Sequence, residues 1–348
     1  MSAVFRAVFY RHDTQVALTV SVCFFYNPPF KPTPMTTSIR QNRIALATAI
    51  DAPRLKTKTW SLDEAYDYCE KLARSHYENF PVGSVLVPKP LRKYFYSIYA
   101  FARIADDFAD EGYEENYSAA ARLELIEEWR VMLGEAFAGR AWHPVFVALA
   151  DTQKQFALPL TLFEDLLSAF AQDVEKRRYQ TFTELADYCR RSANPIGRLI
   201  LLLFGYRDAR LHEMSDAICT GLQLANHWQD VAIDLGKDRV YLPEADLRRF
   251  GLSYEGLNTR TLSKEFCELM QFEITRAREL FNEGKALCTT VTGRLGIELR
   301  VVWLGGTKIL KAIEENGYDV FRFRPMITKR DKLQILIKAL RKEAFKRD

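Results

Sequence analysis

Two helix-forming stretches of this 348-residue chain carry paired aspartates inside apolar sequence, and that restricts the folds open to it. In IYAFARIADDFADEG (98–112), Asp106 and Asp110 stand four residues apart on one helical face, with Asp107 beside them. In GLQLANHWQDVAIDLGKDRVYLP (221–243), Asn226, Asp230 and Asp234 follow at the same interval, with Gln223 one turn before Asn226. Leu222, Leu224, Ala225, Val231 and Ala232 occupy the opposite side of that helix. Like charges at this spacing cost roughly 0.2–0.5 kcal/mol on an exposed helix and far more when buried unpaired. Taken alone, the first stretch could be a solvated helix end, a cap or a metal cradle, although aspartate near a helix C-terminus opposes the helix dipole. Two such helices, about 120 residues apart and both embedded in core-forming sequence, change the balance. Facing each other across a bundle, they would repel strongly unless cations sat between them. Mg2+ suits hard carboxylate oxygens and bridges them to phosphates, and Mn2+ can substitute. The five histidines show no HExxH or E-x-x-H spacing, which argues against a zinc hydrolase or a di-iron bundle.

From Trp60 onward the chain reads as helix. Ser61–Glu64 and Thr181–Glu184 are capping boxes. Apolar residues recur at helical spacing over 91–105, 118–137, 160–172, 215–235, 265–288 and 295–315. Breaks are expected at Pro81, Pro88, Pro90, Gly112, Pro159, Gly205, Pro243, Gly251 and Gly317. These divide the chain into about ten helices with short connections and no hairpin signal, the pattern of one all-α domain. Residues 51–330 form the expected catalytic domain and 331–348 a basic amphipathic C-terminal helix. Residues 1–50 are set aside as an N-terminal extension. Their apolar run, 16–26, is too short to span a membrane and lacks a small-residue cleavage site. A Pro-rich linker follows, and Met35 suggests a start assigned too far upstream, with a genuine targeting segment as the alternative.

The net charge of +4, from 49 basic and 45 acidic residues, is too balanced for a nucleic-acid partner and suits an anionic substrate or a membrane surface. The six cysteines form no CxxC pair or metal-type spacing, so they read as reduced thiols of a cytoplasmic protein. No G-x-G-x-x-G follows a strand.

The two aspartate blocks together resemble the squalene/phytoene synthase family of head-to-head prenyl-coupling enzymes, from about Tyr66 to Ile327. The first block is similar to the family's Y-A-x-x-R-x-x-D-D-x-x-D motif. The second is similar to its Q-L-x-N-x-x-x-D-x-x-x-D…R-x-Y-L-P motif, and YCRRSANPIGRL stands in place of its Y-C-x-x-V-A-G-x-V-G segment. ENFPVGSVLVP, FEDLLSAFAQDVEKRRYQTF, RRSANPIGRL and NGYDVFRFRP resemble the hydroxysqualene-synthase branch.

The resemblance implies the isoprenoid synthase fold, a helical bundle with a central active-site cavity, and Mg2+ held by Asp106, Asp110, Asp230 and Asp234, with Asp107 a further ligand or a surface partner. It implies diphosphate contacts from Arg103, Arg239 and Asn226, and a substrate-entry segment containing His76 and Phe80. Arg239 could equally be an ion-pair partner and His76 a surface residue. Tyr99, Tyr188 and Tyr318 match family tyrosines that line the active site, where a phenol ring can face a carbocation; for Tyr99 and Tyr318, plain core packing is the alternative. The branch takes presqualene diphosphate and water to hydroxysqualene and diphosphate, alongside a presqualene diphosphate synthase and a separate flavin-dependent reductase, so the resemblance implies no NAD(P)H site in this chain. The alternatives are condensation of two farnesyl or geranylgeranyl diphosphates, and a silent protein that binds polyprenyl diphosphates.

Two departures stand out. Asn194 and Pro195 replace the family's glycine-containing turn, and the proline is expected to kink an apolar helix and free a carbonyl that, with Asn194, holds the capturing water. His227 replaces an aromatic residue and lies about 100° from Asn226, so it is expected to pack. Finally, Leu333, Leu336, Ile337, Leu340 and Ala344 are expected on one face of the C-terminal helix, ringed by basic residues. That face would lie on a membrane as a peripheral contact or dock on the helix's own domain.

Overall fold

Fifteen α-helices and no strand make up the described residues of a computed structural model, which are 58–75, 87–114 and 117–345. The expected N-terminal extension, His76 and Phe80 lie outside them. The helices are α1 (Leu62–Ser75), α2 (Arg92–Glu114), α3 (Ala119–Phe137), α4 (Pro144–Phe156), α5 (Leu160–Glu175), α6 (Phe182–Ser192), α7 (Asn194–Leu203) and α8 (Ala209–Gln229). The short α9 (Val231–Leu235), α10 (Glu244–Arg249) and α11 (Tyr254–Leu257) follow, then α12 (Lys264–Gly284), α13 (Leu287–Thr290), α14 (Gly293–Glu315) and α15 (Lys329–Leu340).

Local chemistry sets many of the ends. Ser61 and Glu64 form the expected reciprocal cap, Ser61 Oγ accepting from Glu64 N and Glu64 Oε2 from Ser61 N. Thr181 Oγ1 likewise accepts from Glu184 N, but the Glu184 carboxylate reaches Gln180 N instead. Pro159 and Pro243 cap α5 and α10, and Gly205, Gly251 and Gly317 turn the chain in left-handed conformations. Gly112 does not end α2, which runs on to Glu114. Pro195 does not kink a continuous helix either. Ala193, at φ −113°, separates α6 from α7, and Pro195 sits in the first turn of the new helix, where its missing N–H costs nothing.

The core has two clusters. Helices α1 to α4 enclose one, centred on Phe101, Trp129, Phe146 and Phe163 in mutual ring contact. Helices α6, α8, α12 and α14 enclose the other. Two helices belong to both: α5 sends Phe163, Leu166 and Phe170 one way and Ala169 the other, while α7 divides Leu199, Leu202 and Leu203 from Leu201. Aspartates 106, 107 and 110 sit on a helix of the first cluster and Asp230 ends a helix of the second, and Arg239, reaching Asp110, links the two sides of the seam between them.

Helix α15 docks on α14, with Ile335, Leu336 and Ala339 buried and Arg300 donating to the Ala339 carbonyl. The buried face is therefore not the expected one. Leu336 belongs to both, but Leu333, Ile337 and Leu340 point outward.

Candidate active site

Helix α2 presents Tyr99, Arg103, Asp106 and Asp110 at intervals of four, three and four residues, which is one face. All but Asp110 are buried. Arg103 lies between two carboxylates, its Nη2 paired with Asp107 Oδ1 and its Nη1 3.8 Å from Asp106 Oδ2. Asp107 is thus the partner that holds Arg103. Asp106 is only 1% exposed, and neither of its oxygens accepts a hydrogen bond among the described residues. Burial pushes its pKa up to about 6; the nearby Asp110 and Asp173 carboxylates add to this and Arg103 opposes it.

Across the seam, α8 ends at Gln229, and Asp230 occupies the junction before α9. The four-residue step survives the break, since Asp234 N donates to the Asp230 carbonyl at 2.9 Å. Asp230 and Asp234 are both buried. Asn226 Nδ2 donates to Asp230 Oδ2 at 2.7 Å, and Arg324 Nε pairs with Asp230 Oδ1. The turn after α9 brings Arg239 back, its N–H donating to the Asp234 carbonyl at 2.8 Å. Its guanidinium then reaches Asp110 Oδ1 at 3.3 Å and the Asp173 carbonyl at 3.0 Å. Arg239 is therefore an ion-pair partner that ties the two aspartate helices together.

Spacing did not single out Asp173 or Arg324. Asp173 is a buried acid on α5, and its Oδ2 accepts from the Tyr188 hydroxyl at 2.8 Å. Burial raises its pKa, helped by Asp110 and opposed by Arg239. A lone acid among Leu166, Ala169, Phe170 and Val174 was the available signal. Arg324 is one of eight basic residues between Arg322 and Lys342, and nothing local marks it out. Tyr188 itself is fully buried against Tyr179 and Tyr241, with ring centroids 5.7 and 6.1 Å away. His227 packs as expected, stacked on Tyr241 at 3.6 Å.

Asn194 is buried, and its Oδ1 accepts from Thr220 Oγ1 at 3.0 Å. Thr220 lies ten residues before Asp230, which places it about 15 Å along α8 from the carboxylates. Tyr318 does not join the site. It follows Gly317 in a left-handed turn, at φ 64°, and its polar neighbours are Glu314, Cys267 and Arg278.

The seam fits the divalent metal its donors imply. All its acids are hard-oxygen ligands, and Asp106 is a buried carboxylate lacking hydrogen-bond donors, a costly arrangement without a cation. As placed, no three His, Cys, Asp or Glu side chains among the described residues converge on one ligand point. Arginines hold Asp107, Asp110 and Asp230 instead.

An all-α bundle with buried aspartates and arginines facing each other across its seam is the isoprenoid synthase architecture, a fold of prenyl-diphosphate enzymes. The chain belongs to the squalene/phytoene synthase family, whose model matches residues 73–331. Members bind prenyl diphosphates, use a divalent metal such as Mg2+ and are prenyltransferase-type enzymes that join two chains head to head. The structure is similar to squalene synthase HpnC from Alicyclobacillus acidocaldarius, with 41% identity, a TM-score of 0.70, and coverage of 74% of this chain and 95% of that one. The 15-cis-phytoene synthase of Synechocystis is 30% identical over 79% of this chain and 84% of its own length. Phytoene synthase of Arthrospira platensis is 28% identical over 82% and 95%. A dehydrosqualene synthase at 22% identity shares the fold, with a TM-score of 0.69.

Proposed function

We propose that the protein converts presqualene diphosphate and water to hydroxysqualene and diphosphate. The observation that carries this reading is the buried polar pair Asn194–Thr220, about 15 Å along α8 from the carboxylates. The similarity to a squalene synthase at 41% identity supports the same branch. Asp106, Asp110, Asp230 and Asp234 would hold Mg2+, which would supply the positive charge that stabilises diphosphate as a leaving group. Arg239, Arg324 and Arg103 are within reach of those carboxylates and would turn to the diphosphate oxygens, which a guanidinium grips bidentately. Asn226 orients Asp230. Tyr188 offers its ring to the cation, with Asp173 fixing its hydroxyl, and Tyr99 lies on the same face as Arg103 and Asp106.

The leaving diphosphate takes the bonding electron pair and the carbon skeleton rearranges. Water then adds through its oxygen and gives up a proton, for which the released diphosphate is the available base. Placing the water at Asn194, nearly three turns of α8 from the metal-binding carboxylates, would keep it from intercepting the first cation. A presqualene diphosphate synthase upstream and a flavin-dependent hydroxysqualene reductase downstream would complete the sequence. The lipid nature of substrate and product favours work at the cytoplasmic face of a membrane.

The relatives named phytoene synthase favour a second reading, condensation of two farnesyl or geranylgeranyl diphosphates. Purified protein with Mg2+ is offered presqualene diphosphate or farnesyl diphosphate, and the products are analysed by mass spectrometry. Consumption of presqualene diphosphate with formation of the C30 alcohol is expected; consumption of farnesyl diphosphate alone would replace the first reading by the second. The Asn194→Gly variant should lose the alcohol in favour of other products, and an unchanged alcohol would remove Asn194 from the mechanism.

A further inference from the structure

Nine large apolar side chains are exposed among the described residues, and five fall within one C-terminal stretch: Phe323 (62%), Met326 (40%), Leu333 (55%), Ile337 (45%) and Leu340 (60%). The last three follow at i, i+4 and i+7 on α15, within an arc of about 60° on the side away from the docked face. Ordinary docking of α15 on α14 is already met by Ile335, Leu336 and Ala339, so the outer stripe has no role in it. Exposed basic residues flank the stripe: Lys329, Arg330, Lys338 and Arg341. Between Arg322 and Lys342 the chain carries eight basic residues and one acid, more positive charge than its whole net of +4. That one acid, Asp331, is committed to the N-cap of α15 and to Lys308. The basic charge is thus concentrated where the apolar side chains protrude.

We infer that the outer face of α15 is a membrane-docking surface that lies flat on an anionic bilayer. Leu333, Ile337 and Leu340 enter the headgroup–acyl boundary, and the flanking lysines and arginines meet lipid phosphates. A narrow convex stripe with cations on both sides suits a flat interface better than a partner protein's groove. No helix among the described residues is long and apolar enough to cross a membrane, so the contact is peripheral. The choice of a lipid partner rests on the prenyl-lipid reading of the site, but the test below uses no substrate, so either can fail without the other.

Full-length protein is spun down with vesicles of phosphatidylcholine alone or of an equal mixture with phosphatidylglycerol. Wild type is expected to pellet with the anionic vesicles and to be released by about 0.5 M salt, which screens the phosphate contacts. The triple variant Leu333→Gln, Ile337→Gln, Leu340→Gln should keep its unfolding temperature and its activity on detergent-dispersed substrate while losing vesicle binding at least about tenfold. Absence of wild-type binding to anionic vesicles at low salt overturns the inference. So does binding retained by the folded triple variant, which assigns the contact to another part of the chain. Conversion of a wild-type dimer to a monomer by the triple variant, without any vesicle binding, overturns it in favour of a second copy.

Discussion

Asp173 is the residue on which the rest of the site converges. Its carboxylate takes the Tyr188 hydroxyl, its carbonyl takes Arg239, and Arg239 holds Asp110. If Asp173 acts by orienting the phenol, Asp173→Ala and Tyr188→Phe remove the same hydrogen bond. Each should lower kcat about 10- to 100-fold, the worth of one charge-assisted bond, with KM little changed. The double variant should be no worse than the poorer single one, and additive losses would show that the two residues act separately. The acids that lie close in sequence were legible from spacing, because helical periodicity puts Asp106 and Asp110, or Asp230 and Asp234, on one face. Their counterions were not. Arg239 meets Asp110 across 129 residues and Arg324 meets Asp230 across 94, separations that only the packed bundle closes. Tyr318 shows the opposite failure: a motif match placed it in the site, whereas it packs against the second core cluster with Glu314, Cys267 and Arg278 as its polar neighbours.

Among the elements, α12 carries two features that the apolar pattern conceals. Its Glu273 is fully buried beside Asp246, and both carboxylates lean on the single guanidinium of Arg276. One cation cannot balance two buried anions, and burial with Asp246 pushes the Glu273 pKa up to about 8. The folded chain therefore keeps a proton that the unfolded chain releases near 4.5. This group's stabilising contribution is full below that pH and is lost as pH rises towards about 8. Urea unfolding at pH near 5.5 and 7.5 should show wild type weakening across the interval. Glu273→Gln, which mimics the protonated acid, should shrink that difference by up to about 2 kcal/mol. The second feature is the close approach of α12 to α8 and α14. A Cβ on Gly284 would lie 2.4 Å from Ile218 Cγ1 and 2.6 Å from the Met214 carbonyl, and one on Gly306 would lie 2.2 Å from Phe281 Cζ. Gly284→Ala should cost about 1–3 kcal/mol in chemical denaturation, because backbone must move to admit the methyl group. Helix positions were readable from periodicity, yet nothing in it says which small residue is a contact point. The same limit explains α15, where a broad apolar face read from the sequence divides into a docked half and an exposed half.

At the scale of the whole molecule, two hydrophobic clusters share α5 and α7, and Asp106, Asp173, Asp230 and Asp234 are buried on the helices and turns around them. The arrangement is costly without ligand, and Asp106 shows it: a buried acid with no hydrogen-bond donor among the described residues, its pKa lifted to about 6. A group raised in the folded state contributes stability at low pH that is lost as pH climbs from its unfolded value through about 6. At pH near 8, then, metal-free protein carries an ionised Asp106 that weakens the fold. Asp106→Asn, an uncharged mimic of the protonated acid, should make metal-free protein more stable there by about 1–3 kcal/mol, and by much less near pH 5. Mg2+ with inorganic diphosphate should stabilise wild type by about 2–3 kcal/mol at roughly a hundredfold excess over the dissociation constant. The variant should lose most of that response along with its activity. Thermal melts at both pH values, with and without Mg2+ and diphosphate, separate the outcomes. A variant less stable than wild type in the metal-free state at pH near 8 would mean that Asp106 is a structural acid. A variant that is more stable but no longer responds to Mg2+ and diphosphate would mean that the fold gives up stability to keep an anion ready for its ligand.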